Sequence, residues 1–209
     1  LVIPAGMDSH SFEPTPKDIR IMQEADVIIA NGGAMEHWVD QVVDSFERED
    51  QTVVIMMDHV DAVEEEIVEG MEHSDEGHGH VHVHEDGEED GHLEEDESQY
   101  EIEYDEHIWT SPVNAMRMVD VIAETLTERD PDHGAMYQAG AAAYLEELER
   151  LDKEFREVRD SAVHDMIVMG DKFPLRYFAD AYGLRYRAAF SGCSSDTEPS
   201  ARTIAYLID

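Results

Sequence analysis

With 209 residues, 42% of them apolar, the chain is long enough for one or two domains with a real core, and its formal net charge of −37 repels nucleic acid and anionic lipid while attracting cations. No uninterrupted apolar run approaches the roughly 20 residues of a membrane-spanning helix, and a single cysteine, Cys193, rules out both an internal disulfide framework and a Cys-based zinc site. Much of the acid is local: residues 64–106 hold 20 Asp or Glu and neither Lys nor Arg. The other 31 acids face all 14 bases, a background bias that a salt-adapted proteome alone would produce.

In chain order, "LVIPAG" reads as a strand end opening into the loop "MDSHSFEP". Thr15 caps a helix with Pro16 at its first position and Asp18 in its first turn, running to about Glu24. "ADVIIAN" (Ala25 to Asn31) is a short buried strand broken by Gly32-Gly33; a helix from about Met35 to Arg48 and a second buried strand, "TVVIMMD" (Thr52 to Asp58), follow. Strand and helix alternate, which predicts a parallel sheet covered on both faces. From Val63 to Glu103 periodicity is lost, charge is dense and glycines are scattered, the composition of a disordered segment. Ser111 and Pro112 open a helix that reaches about Glu128.

Between Pro131 and Ala162 apolar residues recur at steps of four and three: Tyr137, Ala141, Tyr144, Leu148, Leu151, Phe155 and Val158. They make one stripe along a single helix on the order of 45 Å long, either a coiled-coil arm or a spine joining two lobes. New βα units after it favour the spine: "HDMIVMGD" (His164 to Asp171) as strand, Pro174 to Tyr182 as helix, "RYRAAFSG" (Arg185 to Gly192) as strand, and a last helix from near Pro199. "FEPTPKDIRIMQEAD" and "TEPSARTIAYLID" echo each other, a hint of two related lobes. The expected class is therefore α/β: two (βα) lobes with parallel sheets joined by one long rigid helix. The divisions are 1–130 with a His- and acid-rich loop at about 64–103, the linker 131–162, and the start of a second lobe at 163–209. The opening without Met and the ending inside a helical pattern suggest a chain truncated at both ends.

Two histidines stand out by context. His10 in "SHSFEPTP" and His107 in "EHIWTSP" each sit in a loop shortly before a Pro-started helix, where ligands of open α/β sheets gather. With Asp8, Asp105 and Glu106 nearby they form a candidate metal site; the alternative is a loop histidine bonded to backbone. His37, His59, His133 and His164 read as surface or packing residues, and Met56, Met57, Met116 and Met118 as core. Enzyme signatures are absent: there is no phosphate loop, nucleophile elbow or His-Glu-x-x-His helix, and "NGG" at 31–33 is too short for a dinucleotide fingerprint. Cys193 has no evident partner base and reads as a small buried thiol. In "EGHGHVHVHEDGEEDGH", extended chain would project His78, His80, His82 and His84 from one face at roughly 6.6 Å intervals. Such a tract is either a solvated linker or a set of weak, exchanging sites; neutral imidazole is a common zinc and copper ligand, and the carboxylates concentrate cations.

Three stretches together resemble the solute-binding proteins of zinc and manganese ABC importers: "VIPAGMDSHSFEPTPKDIRIMQEADVIIANGGAMEHWVD", "DEHIWTSPVNAMRMVDVIAETL" and "FADAYGLRYRAAFSGCSSDTEPSARTIAYLID". That resemblance implies a metal between two lobes bridged by a rigid helix, with His10 as the first ligand and His107 as the second. The family's third ligand, a histidine, falls here on Lys172, which cannot coordinate when protonated, so Asp171 is expected to stand in. The His-acid insertion lies where zinc-specific members carry theirs, which makes His73, His78, His80, His82, His84 and His92 auxiliary ligands. The implied function is extracytoplasmic capture of Zn²⁺, periplasmic or at the cell surface as a lipoprotein, by a monomer that is not an enzyme. It would deliver the ion to an ABC permease and meet the membrane only through an N-terminal anchor ahead of Leu1. Manganese carriage is the alternative within the class, and a zinc-dependent hydrolase the alternative outside it.

Overall fold

The computed structural model describes residues 1–7, 12–46, 48, 50–71, 104–194 and 198–208. It is an α/β protein with two small parallel sheets and one long helix. Helix α1 (Pro16–Glu24) starts on a capping box: Asp18 N donates to Thr15 Oγ1, and the Asp18 carboxylate accepts from the Thr15 amide at 2.9 Å. Strand β1 (Val27–Ala30) follows, then a 3₁₀ turn at Ala34–Glu36, helix α2 (Trp38–Asp44) and strand β2 (Thr52–Ile55), which pairs in parallel with β1. Both middle elements are shorter than their sequence reading. The expected Met35–Arg48 helix begins as a 3₁₀ turn and stops at Asp44, and the Thr52–Asp58 strand gives way after Ile55 to a 3₁₀ turn at Met56–His59. Apolar residues continue past both strand ends because they serve the core in another backbone shape: Met56 is 1% exposed within the turn.

Helix α3 (Pro112–Arg129) and helix α4 (Gly134–Ser161) form a hairpin through the 3₁₀ turn Pro131–His133. Asp130 organises the corner, accepting from His133 Nδ1 at 2.8 Å and from the Tyr137 hydroxyl at 2.7 Å. Gly134 lies tight against α3, since a Cβ there would lie 2.8 Å from Thr127 Cγ2. The 28 residues of α4 span about 42 Å, the long helix that the periodic stripe predicts. The stripe is divided between two neighbours. Tyr137 and Ala141 face α3, while Phe155 packs edge-on to Phe178 at 4.9 Å, in the next helix. Tyr144 stays 53% exposed and Val158 65%, so the stripe is only partly covered among the described residues.

Strand β3 (Met166–Phe173), helix α5 (Arg176–Tyr182) and strand β4 (Arg185–Ser191) make the second parallel unit, and α6 (Ala201–Ile208) follows. The register slips by one residue between Met169 and Lys172, a bulge that takes in Gly170 and Asp171. The core of this unit, Phe173, Ala179 and Ala188, also receives Met71 from far upstream.

Met71 belongs to a stretch whose composition reads as structureless. Residues 64–71 instead have defined partners in the loop before His107 and in the second unit: Glu64 bridges Tyr104, Glu65 accepts the Cys193 amide at 2.9 Å, and Glu66 pairs with Arg176 and with the Tyr186 hydroxyl. Averaged composition missed this because Glu65 and Glu66 are answered by donors more than 100 residues away. The rest of the tract, 72–103, lies outside the described residues.

Candidate metal site

The best-defined candidate ligand is His107, in the loop between the acidic tract and α3. It sits at the carboxyl ends of strands from both sheets. From the first, Asn31, just past β1, donates its Nδ2 to the Glu106 carbonyl at 2.9 Å, and Met35 N donates to both Glu106 carboxylate oxygens at 2.9 and 2.9 Å. From the second, the backbone just past β4 abuts the His107 ring: a Cβ on Gly192 would lie 3.1 Å from Cε1, 3.2 Å from Nδ1 and 3.0 Å from the Phe173 carbonyl. Open α/β folds bind ligands at this end of their strands.

The imidazole is 7% exposed and Asp105 only 2%. One carboxylate oxygen of Asp105 accepts from the His107 amide at 2.8 Å and from Nδ1 at 3.0 Å. Because a carboxylate only accepts, Nδ1 carries the hydrogen, and Nε2 is the nitrogen suited to donate to a metal. The Trp109 ring lies 5.5 Å from the imidazole, and Thr110 caps the loop with its hydroxyl on the His107 carbonyl at 2.8 Å.

Asp105 and Glu106, expected as companions of the metal, both have protein partners. Asp105 orients the histidine. Glu106 anchors the loop to the Gly33–Met35 turn, where burial raises its carboxyl above the usual range against the opposing pull of the Met35 and Ala34 amides. Cys193 is half-buried, with its thiol pushed far up by burial and by the neighbouring carboxylates of Glu65, Glu106 and Asp105. Cys193 is thus less enclosed than the buried thiol expected, in an environment that disfavours the thiolate.

His10, Asp8 and the tract histidines His73, His78, His80, His82, His84 and His92 lie outside the described residues. Asp171 stands exposed on the β3 bulge, its Oδ1 accepting from the Lys172 amide at 2.8 Å. Among the described residues no three His, Cys, Asp or Glu side chains are placed to share one ion. Among the secondary histidines, His133 bonds Asp130, and His37 bonds the Ala34 carbonyl through Nδ1 at 2.9 Å, both surface roles as expected. Sequence reasoning missed Tyr177, whose hydroxyl donates to the Asp105 carbonyl at 2.7 Å, and the contact at Gly192. "RYFAD" carries no signal for the first. A glycine closing a strand beside a candidate site was a usable signal for the second.

The model of the family described as zinc-uptake complex component A, periplasmic (ZnuA), matches residues 1–209. The chain belongs to this family. The zinc-binding lipoprotein AdcA of Streptococcus pneumoniae is 32% identical over 211 residues, which is all of this chain and 37% of that protein. The high-affinity zinc uptake system protein ZnuA of Bacillus subtilis is 31% identical over 208 residues, 99% of this chain and 58% of its own length. The crystal structure of Zn(II)-bound AdcA from S. pneumoniae superposes with a TM-score of 0.68 at 27% identity, over 98% of this chain and 36% of that one. The chain thus spans well under two thirds of these ZnuA-family relatives. Its short parallel sheets and long helix are the architecture of solved family members.

Proposed function

We propose that the chain captures Zn²⁺ outside the cytoplasm, as a monomer, and hands it to the permease of an ABC importer. His10 and His107 supply the nitrogen ligands of the tight site, and Asp171 supplies the acidic one. His73, His78, His80, His82, His84 and His92 act as an auxiliary collector. The working division is a metal-binding lobe at 1–130, a linking helix at 131–162 and a second lobe from 163.

One observation carries this reading: a nearly buried imidazole, His107, whose Nδ1 is pinned by the buried carboxylate of Asp105 where both sheets end. Ordinary structural histidines do not need an acceptor-only partner on one nitrogen, whereas metal-ligating histidines usually have one. Family membership and the zinc-binding names of the relatives support the same metal. A carrier has no use for a general base, and Cys193 is not set up as a nucleophile. Zinc competition titration of a variant lacking residues 72–99, with and without His10→Ala and His107→Ala, tests the proposal. The intact pair should hold one tight ion and the double alanine variant none; equal affinities reject the site. A preference for Mn²⁺ in the same titration would reassign the cargo to the harder metal.

A further inference from the structure

The groups that touch or brace His107 come from both sheet units. On the first side is Asp105, whose carboxylate oxygen holds the ring at Nδ1. Asp105 is itself fixed through its backbone, with its amide donating to the Val63 carbonyl at 2.9 Å and its carbonyl accepting from the Tyr177 hydroxyl at 2.7 Å. Tyr177 belongs to α5, in the second unit. It is 5% exposed, packs with Val54, Met56 and Ile108 of the first, and also accepts the Val63 amide at 3.2 Å. One hydroxyl therefore ties together the stem of the tract and the ligand loop. Gly192, beyond β4, closes the other side of the ring at a distance that a side chain would fill. Its φ lies outside the left-handed region, so the constraint on Gly192 is space and not backbone strain.

We propose that Asp105, Tyr177 and Gly192 are positioning residues that fix the His107 imidazole as an Nε2 donor, so that the second sheet unit holds a ligand supplied by the first. The inference rests on His107 being a zinc ligand. The carboxylate selects the tautomer and raises the basicity of the nitrogen that faces the metal. Tyr177 keeps the carboxylate's own backbone from drifting, and Gly192 sets how far the ring can tilt. Zinc affinity then depends on contact between the two units through residues that need not touch the ion.

The test uses the full chain and zinc alone, with competition against a chelator strong enough to leave weak tract sites empty. The variants are Asp105→Ala, Asp105→Asn, Tyr177→Phe and Gly192→Ala, with His107→Ala as control. Asp105→Ala should weaken the tight site about 10–100-fold, and Asp105→Asn, which keeps an acceptor, should recover part of that loss. Tyr177→Phe and Gly192→Ala should each cost about 3–10-fold, the loss of one net hydrogen bond or its equivalent in misplacement. Imidazole ¹⁵N resonances of the metal-free protein separate positioning from general damage. The parent should report a hydrogen on Nδ1 of His107, and Asp105→Ala should shift the tautomer toward Nε2–H. Parent-like affinity in Asp105→Ala and Gly192→Ala, or loss of affinity that follows thermal unfolding with unchanged imidazole resonances, overturns the inference. A tight site that survives His107→Ala instead rejects the zinc-ligand reading on which it stands.

Discussion

Replacing Gly33 by Ala tests whether the "NGG" turn exists to seat the loop that carries His107. Gly33 has φ 86 and ψ −175, a region that side-chain-bearing residues occupy at a cost of about 1–3 kcal/mol. A Cβ there would also lie 2.6 Å from both Cγ and Cδ of Glu106. Moving the Glu106 carboxylate aside strands the buried Met35 amide that it accepts, which costs about 1–3 kcal/mol more. The total, about 2–6 kcal/mol, is a large share of the roughly 5–15 kcal/mol that holds a folded protein together. At about 2–4 °C per kcal/mol for a chain of this size, the metal-free melting temperature should fall by roughly 5–20 °C in calorimetry. The same substitution made in a Glu106→Ala background should cost only the backbone share, because the collision is gone. Equal costs in the two backgrounds, or a shift under about 2 °C in the parent, would show that the turn does not seat Glu106.

Other outcomes follow from the same structure. Phe190, fully buried in β4, should cost about 3–5 kcal/mol when cut to Ala, read as a lower denaturant midpoint at unchanged slope. The Tyr137 hydroxyl and the His133 imidazole hold the Asp130 carboxyl below its ordinary value. Its contribution to stability is therefore present above the unfolded carboxyl's pKa of about 3.9 and is lost as pH falls through the lower folded value. Asp130→Asn should melt below the parent at pH 6, with the gap closing towards pH 2 in a series of thermal scans; a gap of constant size would contradict the assigned bonds. Zinc at 100 times its Kd should stabilise a variant lacking residues 72–99 by about 2.7 kcal/mol, a gain that disappears on chelation and in His107→Ala.

The sequence displayed the elements that rest on local rules and concealed those that rest on distant partners. Thr15-Pro16-Asp18 announces α1, Ser111-Pro112 starts α3, and the four–three stripe sets the length of α4, because caps and periodicity act within a few residues. The ends of α2 and β2 were not legible. Met56 is as apolar inside a 3₁₀ turn as it would be in a strand, and hydrophobicity records burial rather than backbone shape. At the site, His107 was visible from its loop and its neighbours, and its orientation was not. Asp105 lies two residues away and could have been read as a ligand or as a support; only the bond to Nδ1 decides between them. Tyr177, 70 residues further on, becomes part of the site through tertiary packing alone.

The 64–71 segment changes what the acidic tract means. Had it been a free linker, its ends would be tied only by chain connectivity, and ions gathered along it would have no preferred place to go. Instead, Glu64 bridges Tyr104, so the chain enters and leaves the tract side by side, three residues before His107. Met71, the last described residue before the tract, is buried against Phe173, whose carbonyl lies beside the Gly192 that abuts the imidazole. On the proposed reading, tethering weak sites next to a strong one would make transfer between them intramolecular and raise the effective metal concentration at the strong site without any new contact. The anchoring falls to Glu64, Glu65, Glu66 and Met71, each with a defined partner, and the proposed collection would fall to the histidines beyond. On the proposed reading the charge run is a bound stem followed by a collector, and substitutions at Glu65 and Glu66 should loosen the stem from the second sheet unit while substitutions of the histidines beyond leave it in place.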